Sequence, residues 1–193
     1  MQTSERVLNA ATAAFGETGY DATSLDNLAK ELGIRKQSIL YHYPSKEQLL
    51  DAAVDNAIQE LTTVLDTAIS KGEHGWSRVE TIVKSVFRLA IRRPELLGLL
   101  REVTRLGPPV LTRAVEGVAP LIKGATDWLR EEMDAGRIRR SDPELLVLSV
   151  YSTVMGAATE VKLFEAIGEE QTLRGAAARR KELLRFLESA LMP

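Results

Sequence analysis

The stretch TSLDNLAKELGIRKQSILYHYPSK, residues 23 to 46, leaves the chain little choice of local fold. Leu25, Leu28, Ala29 and Leu32 recur at i, i+3, i+4 and i+7, the apolar stripe of one short helix. Gly33 follows where a helix C-terminus favours positive φ. A second short helix is expected from about Arg35 to Tyr43, anchored by Ile39. Pro44 ends it, because the residue before proline is pushed out of the α region. Small Ala29 permits a close crossing, so the pair makes a helix-turn-helix. The outer side of the second helix carries Arg35, Lys36, Gln37, Ser38, Tyr41 and His42, with no carboxylate among them. Lys and Gln reach guanine and adenine edges in a major groove, while Ser and Tyr reach phosphate. The competing interpretation is a helical hairpin with a solvated polar face.

Gly19-Tyr20, Thr23-Ser24, Leu28-Ala29, Gly33-Ile34 and the run Tyr41-His42-Tyr43-Pro44-Ser45-Lys46-Glu47 closely resemble the DNA-binding region of the TetR family of repressors. The rest of the chain resembles that family only in length and helix layout. The resemblance implies a DNA-binding head, a helical effector-binding body and a homodimer whose last two helices pair as a four-helix bundle. It also favours a phosphate contact for His42, whose other reading is a ring packed on Pro44. Leu40 stands where the family usually has an aromatic that touches the DNA backbone, and Tyr41 is the obvious substitute. Lys46 combines a cation with a helix N-terminus that favours an anion; otherwise it is a solvated lysine. Thr23 or Ser24 caps the first motif helix, and with Thr23 as cap Ser24 is the candidate phosphate donor.

Charge argues mildly against a nucleic-acid binder, since the formal net charge is −2. Residues 1 to 50 do not reverse it: Arg6, Lys30, Arg35, Lys36 and Lys46 face Glu5, Glu17, Asp21, Asp26, Glu31 and Glu47. The positive groups are segregated, however. From Gly33 to Lys46 there are three cations and no acid, a local patch that can meet phosphate while the remaining surface repels it. Cysteine is absent, which excludes disulfides and thiolate metal sites and suits a reducing cytoplasm. No secretory signal and no membrane-length apolar run is read, so a cytoplasmic protein is expected. His42 and His74 lack ligand-spaced acidic neighbours, so no metal is expected. Neither a serine elbow nor a phosphate-binding glycine loop occurs, so no catalytic residue, no cofactor and no enzymatic function are expected.

The periodicity predicts an all-α chain of about nine helices, with a head over residues 1–47 and an effector-binding and dimerisation body over 48–193. The first helix starts at Thr3 or Ser4 and reaches Glu17. Ser45 and Gln48 form a capping box, so a long helix starts at Lys46, reaches about Lys71 and links head to body. A loop is expected over Gly72 to Gly75. Pro120 predicts a kink or break inside a helix from Val110 to Asp134. Asp142-Pro143-Glu144 starts an eighth helix to about Ile167, and a ninth runs from about Gln171 to Leu191.

No charged residue lies between Leu145 and Thr159. A helix that is apolar nearly all round is either central in the body or shared with a partner subunit. The small residues of this run and the leucine stripe beside it favour the second, through Ser149, Ser152, Val154, Gly156, Leu184, Leu187 and Leu191. For the effector pocket the candidates are Phe87, Arg101, Trp128, Tyr151 and Met155, each of which is also ordinary core or surface. Arg101 and Arg105 suit an acidic ligand or salt bridges. The function expected is a ligand-responsive repressor that binds double-stranded operator DNA as a homodimer and is released by a small-molecule effector, without a membrane partner. The rival is a helical small-molecule binding or scaffold protein that does not read DNA sequence.

Overall fold

The computed structural model describes residues 2–70, 74–169 and 172–193. Among the described residues there are ten helices and no strand: α1 Thr3–Glu17, α2 Leu25–Leu32, α3 Lys36–His42, α4 Lys46–Ile69, α5 Gly75–Arg92, α6 Pro94–Leu106, α7 Val110–Asp134, α8 Pro143–Thr159, α9 Val161–Ala166 and α10 Leu173–Leu191. No helix among them is long and apolar enough to cross a membrane. They form two compact units, Met1–Leu61 with Arg93–Val118, and Thr62–Arg92 with Ala119–Pro193.

In the first unit, local signals set the helix ends. The Ser24 hydroxyl accepts from the Asn27 amide and starts α2; Gly33, at φ 67°, ends it. The Ser45 hydroxyl accepts from the Gln48 amide at 3.1 Å and starts α4. Val7, Ala11 and Phe15 of α1 are buried, as are Leu25, Leu28 and Ala29 of α2 and Ile39 of α3. Leu8 of α1 and Leu32, the last residue of the α2 stripe, are only half-buried.

The head also has a neighbour that periodicity could not supply. Helix α6 lies against α1 with glycine facing glycine. A β-carbon on Gly16 would sit 2.4 Å from the Glu95 carbonyl oxygen, and one on Gly98 would sit 2.7 Å from the Gly16 carbonyl oxygen. Only hydrogen atoms fit there, so the two backbones touch directly.

The second unit is organised by α5, α8 and α10, each in contact with the other two. Leu129, Met133 and Ile138 form a cluster covered by Trp128, Leu146, Val147 and Met192. Beside it Glu132, 1% exposed, accepts from the Gly75 amide at 3.0 Å and from Arg137 Nε at 2.6 Å. It thereby joins the start of α5 to the turn after α7.

The Arg137 guanidinium holds the Glu132 carboxyl down to about 2, from 4.5, with the Gly75 amide assisting. A lowered carboxylate pKa stabilises above the unfolded value and is lost as pH falls towards the folded one. Between about pH 4.5 and 2 the second unit should therefore lose about 3 kcal/mol from this group. Urea titrations across that range should show a steep acid loss in the parent and a shallower one in Glu132→Gln. Equal slopes would contradict this account.

One helix boundary differs from expectation. The eighth helix does not continue to Ile167: α8 ends at Thr159, Glu160 takes φ −80° and ψ 51°, and the short α9 follows. The segment before the break offers only small side chains to pack, and the Thr159 hydroxyl bonds back to the Met155 carbonyl. Helix α7 has the expected bounds and continues through Pro120, which excludes the break and leaves the kink. The carbonyl that Pro120 leaves without its usual donor belongs to exposed Glu116, where solvent can satisfy it. The expected C-terminal limit Lys71, most of the loop from Gly72, and Gln171 lie outside the described residues.

Candidate nucleic-acid interface

Helix α3 is held from one side only. Ile39 is fully buried, and the Tyr43 hydroxyl donates to the Ser4 carbonyl at 3.3 Å, which pins the C-terminal end of α3 to α1. Desolvation raises the Tyr43 phenol above its usual pKa, so it remains a donor. With α3 fixed from beneath, the remaining positions face outward. Arg35, at the N-cap, and Gln37, Tyr41 and His42 are exposed, while Lys36 and Ser38 are half-buried.

Tyr41 is 84% exposed, the highest value among the large hydrophobic residues described as exposed. Its ring meets His42 edge-on, with centroids 5.1 Å apart.

The patch is less purely basic than the sequence suggests. Lys36 Nζ pairs with Asp26 of α2 at 2.8 Å. Asp26 is ten residues away in sequence, and the helix corner brings it to Lys36. The Lys36 side chain is 42% and the Asp26 side chain 71% exposed, and a solvent-accessible pair of that kind holds by no more than about 1 kcal/mol. A phosphate or a guanine edge can displace Asp26 at small cost. Arg6 is occupied elsewhere, donating to the Leu32 carbonyl at 3.1 Å at the end of α2.

Ser24, not Thr23, caps α2. Thr23 is buried and donates to the Gly19 carbonyl at 2.8 Å. The Ser24 oxygen is committed as an acceptor, which leaves its hydrogen free to donate outward.

Lys46 opens α4, and its ammonium lies 4.1 Å from the centroid of the Tyr20 ring. The Tyr20 hydroxyl donates to Glu47 Oε1 at 3.2 Å. One aromatic side chain thus takes the cation on its face and the neighbouring carboxylate at its tip. No ion pair is recorded for Lys46 among the described residues, so its N–H groups remain available to a phosphate beside the α4 N-terminus. Burial and Glu47 push the Tyr20 phenol up to about 12. Sequence reading missed Tyr20 as part of this site, although the Gly19-Tyr20 pair was a signal for it.

The effector candidates do not all belong together. Arg101 lies in the first unit, on a polar groove of about 390 Å³ lined also by Glu17, Asp21 and Arg105. Phe87, Trp128, Tyr151 and Met155 belong to the second unit. Phe87 is 2% exposed, a core position, and Tyr151 is exposed on α8. Trp128 carries the Arg78 guanidinium over its ring at 5.3 Å. Trp128 Nε1 and Arg78 Nε are both buried without a hydrogen-bond acceptor. Arg78 was not among the sequence candidates.

The dimer candidates also divide. Val154, Leu187 and Leu191 are at most 5% exposed within the single chain. Their stripe therefore closes this chain's own body, and a partner cannot reach it without unpacking α8 and α10. Leu184 and Gly156 are half-buried, and Ser149 and Ser152 are exposed. Exposed Leu145 and Leu148 join Ser149 and Ser152 on one stripe of α8, and Phe186 of α10 is 61% exposed.

Residues 7–53 match the family described as bacterial regulatory proteins, tetR family. The chain is 38% identical over 52 residues to the biofilm operon icaADBC HTH-type negative transcriptional regulator IcaR of Staphylococcus epidermidis, covering 27% of this chain and 28% of that protein. Against IcaR of Staphylococcus aureus strain Newman it is 33% identical over 61 residues, covering 32% and 33%. The chain thus aligns with about a third of the length of these curated relatives. Among solved structures, the regulator FadR of Bacillus subtilis in complex with stearoyl-CoA superposes with a TM-score of 0.79 at 16% identity, over 96% of this chain and 98% of that one. A transcriptional regulator of Saccharomonospora viridis in complex with choline gives 0.78 at 17% identity, over 98% and 97%. At these identities the structures share the fold.

Proposed function

We propose that the chain, whose residues 7–53 match the tetR family of bacterial regulatory proteins, is a ligand-responsive transcriptional repressor of the cytoplasm. It binds a near-palindromic operator as a homodimer, through Ser24, Arg35, Lys36, Gln37, Ser38, Tyr41, His42 and Lys46. A small-molecule effector held in the second unit releases it, and it acts by binding rather than by catalysis. The observation that carries this reading is the outward face of α3, anchored by buried Ile39 and presenting an 84% exposed tyrosine. A scaffold that reads no DNA leaves that face unexplained. The solved structures with stearoyl-CoA and with choline support the effector half by analogy of fold alone. Within this chain, the unpaired donors of Arg78 and Trp128 suit an effector that brings an acceptor.

The two kinds of DNA contact separate experimentally. Lys46→Ala should weaken binding to every duplex by about five- to tenfold and lower the salt slope by about 0.9. Gln37→Ala should leave that slope unchanged and alter which bases are preferred. Anisotropy titrations at several salt concentrations, with duplexes differing at single base pairs, check both. If both variants keep the parent's affinities, slopes and base preferences, this interface is wrongly assigned.

A further inference from the structure

We propose that Glu102 of α6 is a positioning residue for DNA binding, acting on Lys46 through Tyr20. The proposal rests on the reading of Lys46 as a phosphate contact. Glu102 is 9% exposed. Its Oε1 accepts from the Tyr20 backbone amide at 2.8 Å, across 82 residues of sequence. Arg105 holds the carboxylate in place, with Nε 2.7 Å from Oε2 and Nη2 2.7 Å from Oε1. Arg105 Nη2 also reaches Asp21 Oδ2, next to Tyr20 in the chain, at 2.9 Å. The Arg105 guanidinium keeps the Glu102 carboxyl below its usual pKa, so Glu102 is ionised and accepts strongly at neutral pH.

The turn that receives this bond has little freedom. Gly19 takes φ 91°, and a β-carbon there would lie 3.2 Å from Glu102 Oε1. The Tyr20 ring packs against Phe15 of α1, with centroids 5.5 Å apart. Tyr20 is therefore fixed at its backbone by α6 and at its ring by α1. Its free ring face carries the Lys46 ammonium, and its hydroxyl donates to Glu47, which the Ser45 hydroxyl and its own amide also hold.

This arrangement solves a local problem. Lys46 and Glu47 are adjacent opposite charges, and a lysine paired with its own neighbour is a poor phosphate ligand. Tyr20 helps to separate them: the π face attracts the cation without consuming its N–H groups, while the phenol joins the Glu47 amide and the Ser45 hydroxyl in holding the carboxylate. Without the Glu102 bond, the Tyr20 amide loses its acceptor and the turn can re-form. Among the described residues Glu102 hydrogen-bonds Tyr20 and Arg105, not Lys46 or α3, so its influence is indirect.

The test has a readout without DNA. In protein carrying ¹³C at lysine Cε, the Lys46 signal should be shifted upfield by the Tyr20 ring current, and Lys46→Ala assigns it. Glu102→Ala should move that signal back towards the other lysines. Glu102→Gln, which keeps an acceptor for the Tyr20 amide, should restore it. On a 30-base-pair duplex of mixed sequence, Glu102→Ala should weaken binding about fivefold, and combining it with Lys46→Ala should add nothing beyond Lys46→Ala alone. Thermal melts of each variant separate this from loss of fold, since Glu102→Gln and Glu102→Ala both lose the charged Arg105 pair. An unmoved Lys46 signal in folded Glu102→Ala overturns the proposal, as does an additive double variant. A parent protein that binds no duplex while showing the upfield signal overturns the DNA reading instead.

Discussion

Gly16→Val should destabilise the first unit by about 3 kcal/mol and reduce DNA binding at temperatures where the parent is fully folded. The obstacle is backbone. The first added carbon meets the Glu95 carbonyl oxygen at 2.4 Å and the Leu99 amide nitrogen at 3.1 Å, and neither can rotate away as a side chain does. Helices α1 and α6 must separate, which also strains the Glu102 bond to Tyr20. Gly124 of α7 is the control, because nothing lies within 4 Å of a β-carbon there. Gly124→Ala should stabilise by up to about 1 kcal/mol through helix propensity. Urea denaturation of both variants reads the opposite signs. A Gly16→Val protein as stable as the parent would mean that α1 and α6 do not meet as described.

In the proposed homodimer, Leu148→Glu should leave folded monomer at micromolar concentration and weaken operator binding by at least about 100-fold. Leu148 is 58% exposed and Leu145 63%, on a helix without a charged residue from Leu145 to Thr159. Leucines so exposed on such a helix are accounted for when a second copy covers them. A buried glutamate on each side of the two-fold would be unpaired and facing its like. Because two linked heads gain affinity by effective concentration, a monomer loses that gain at once. Leu148 is exposed in the single chain, so the fold tolerates the change, and circular dichroism should be unaltered. Sedimentation showing Leu148→Glu still dimeric would move the interface away from this stripe.

Much of the head could be read from the chain because its determinants are local. Ser24 and Ser45 cap through amides three residues on, Gly33 turns within its own corner, and Leu25, Leu28 and Ala29 line up at i, i+3 and i+4 on the buried side of α2. The features missed are long-range. Gly16 and Gly98 look like two weak helix positions until they are found facing each other. Asp26 reaches Lys36 only because the corner folds α3 back on α2. Glu102 and Tyr20 are 82 residues apart. The leucine stripe of α10 was legible as a buried face, but periodicity does not say which chain buries it, and Leu187 and Leu191 turned out to face their own body. The end of α8 was misplaced because the apolar character of the chain continues through Val161, Leu163 and Ile167 after the backbone has left the helix at Glu160.

Selection of bound duplexes from a pool with a randomised centre tests the central claim most directly. The account predicts enrichment of a near-palindromic sequence whose half-sites lie about one helical turn, or a multiple of it, apart, so that two copies of α3 face the same side of the duplex. Gln37→Ala should enrich a different half-site with the same spacing. A bound pool indistinguishable from the input, held by salt-sensitive binding alone, would contradict sequence reading by α3.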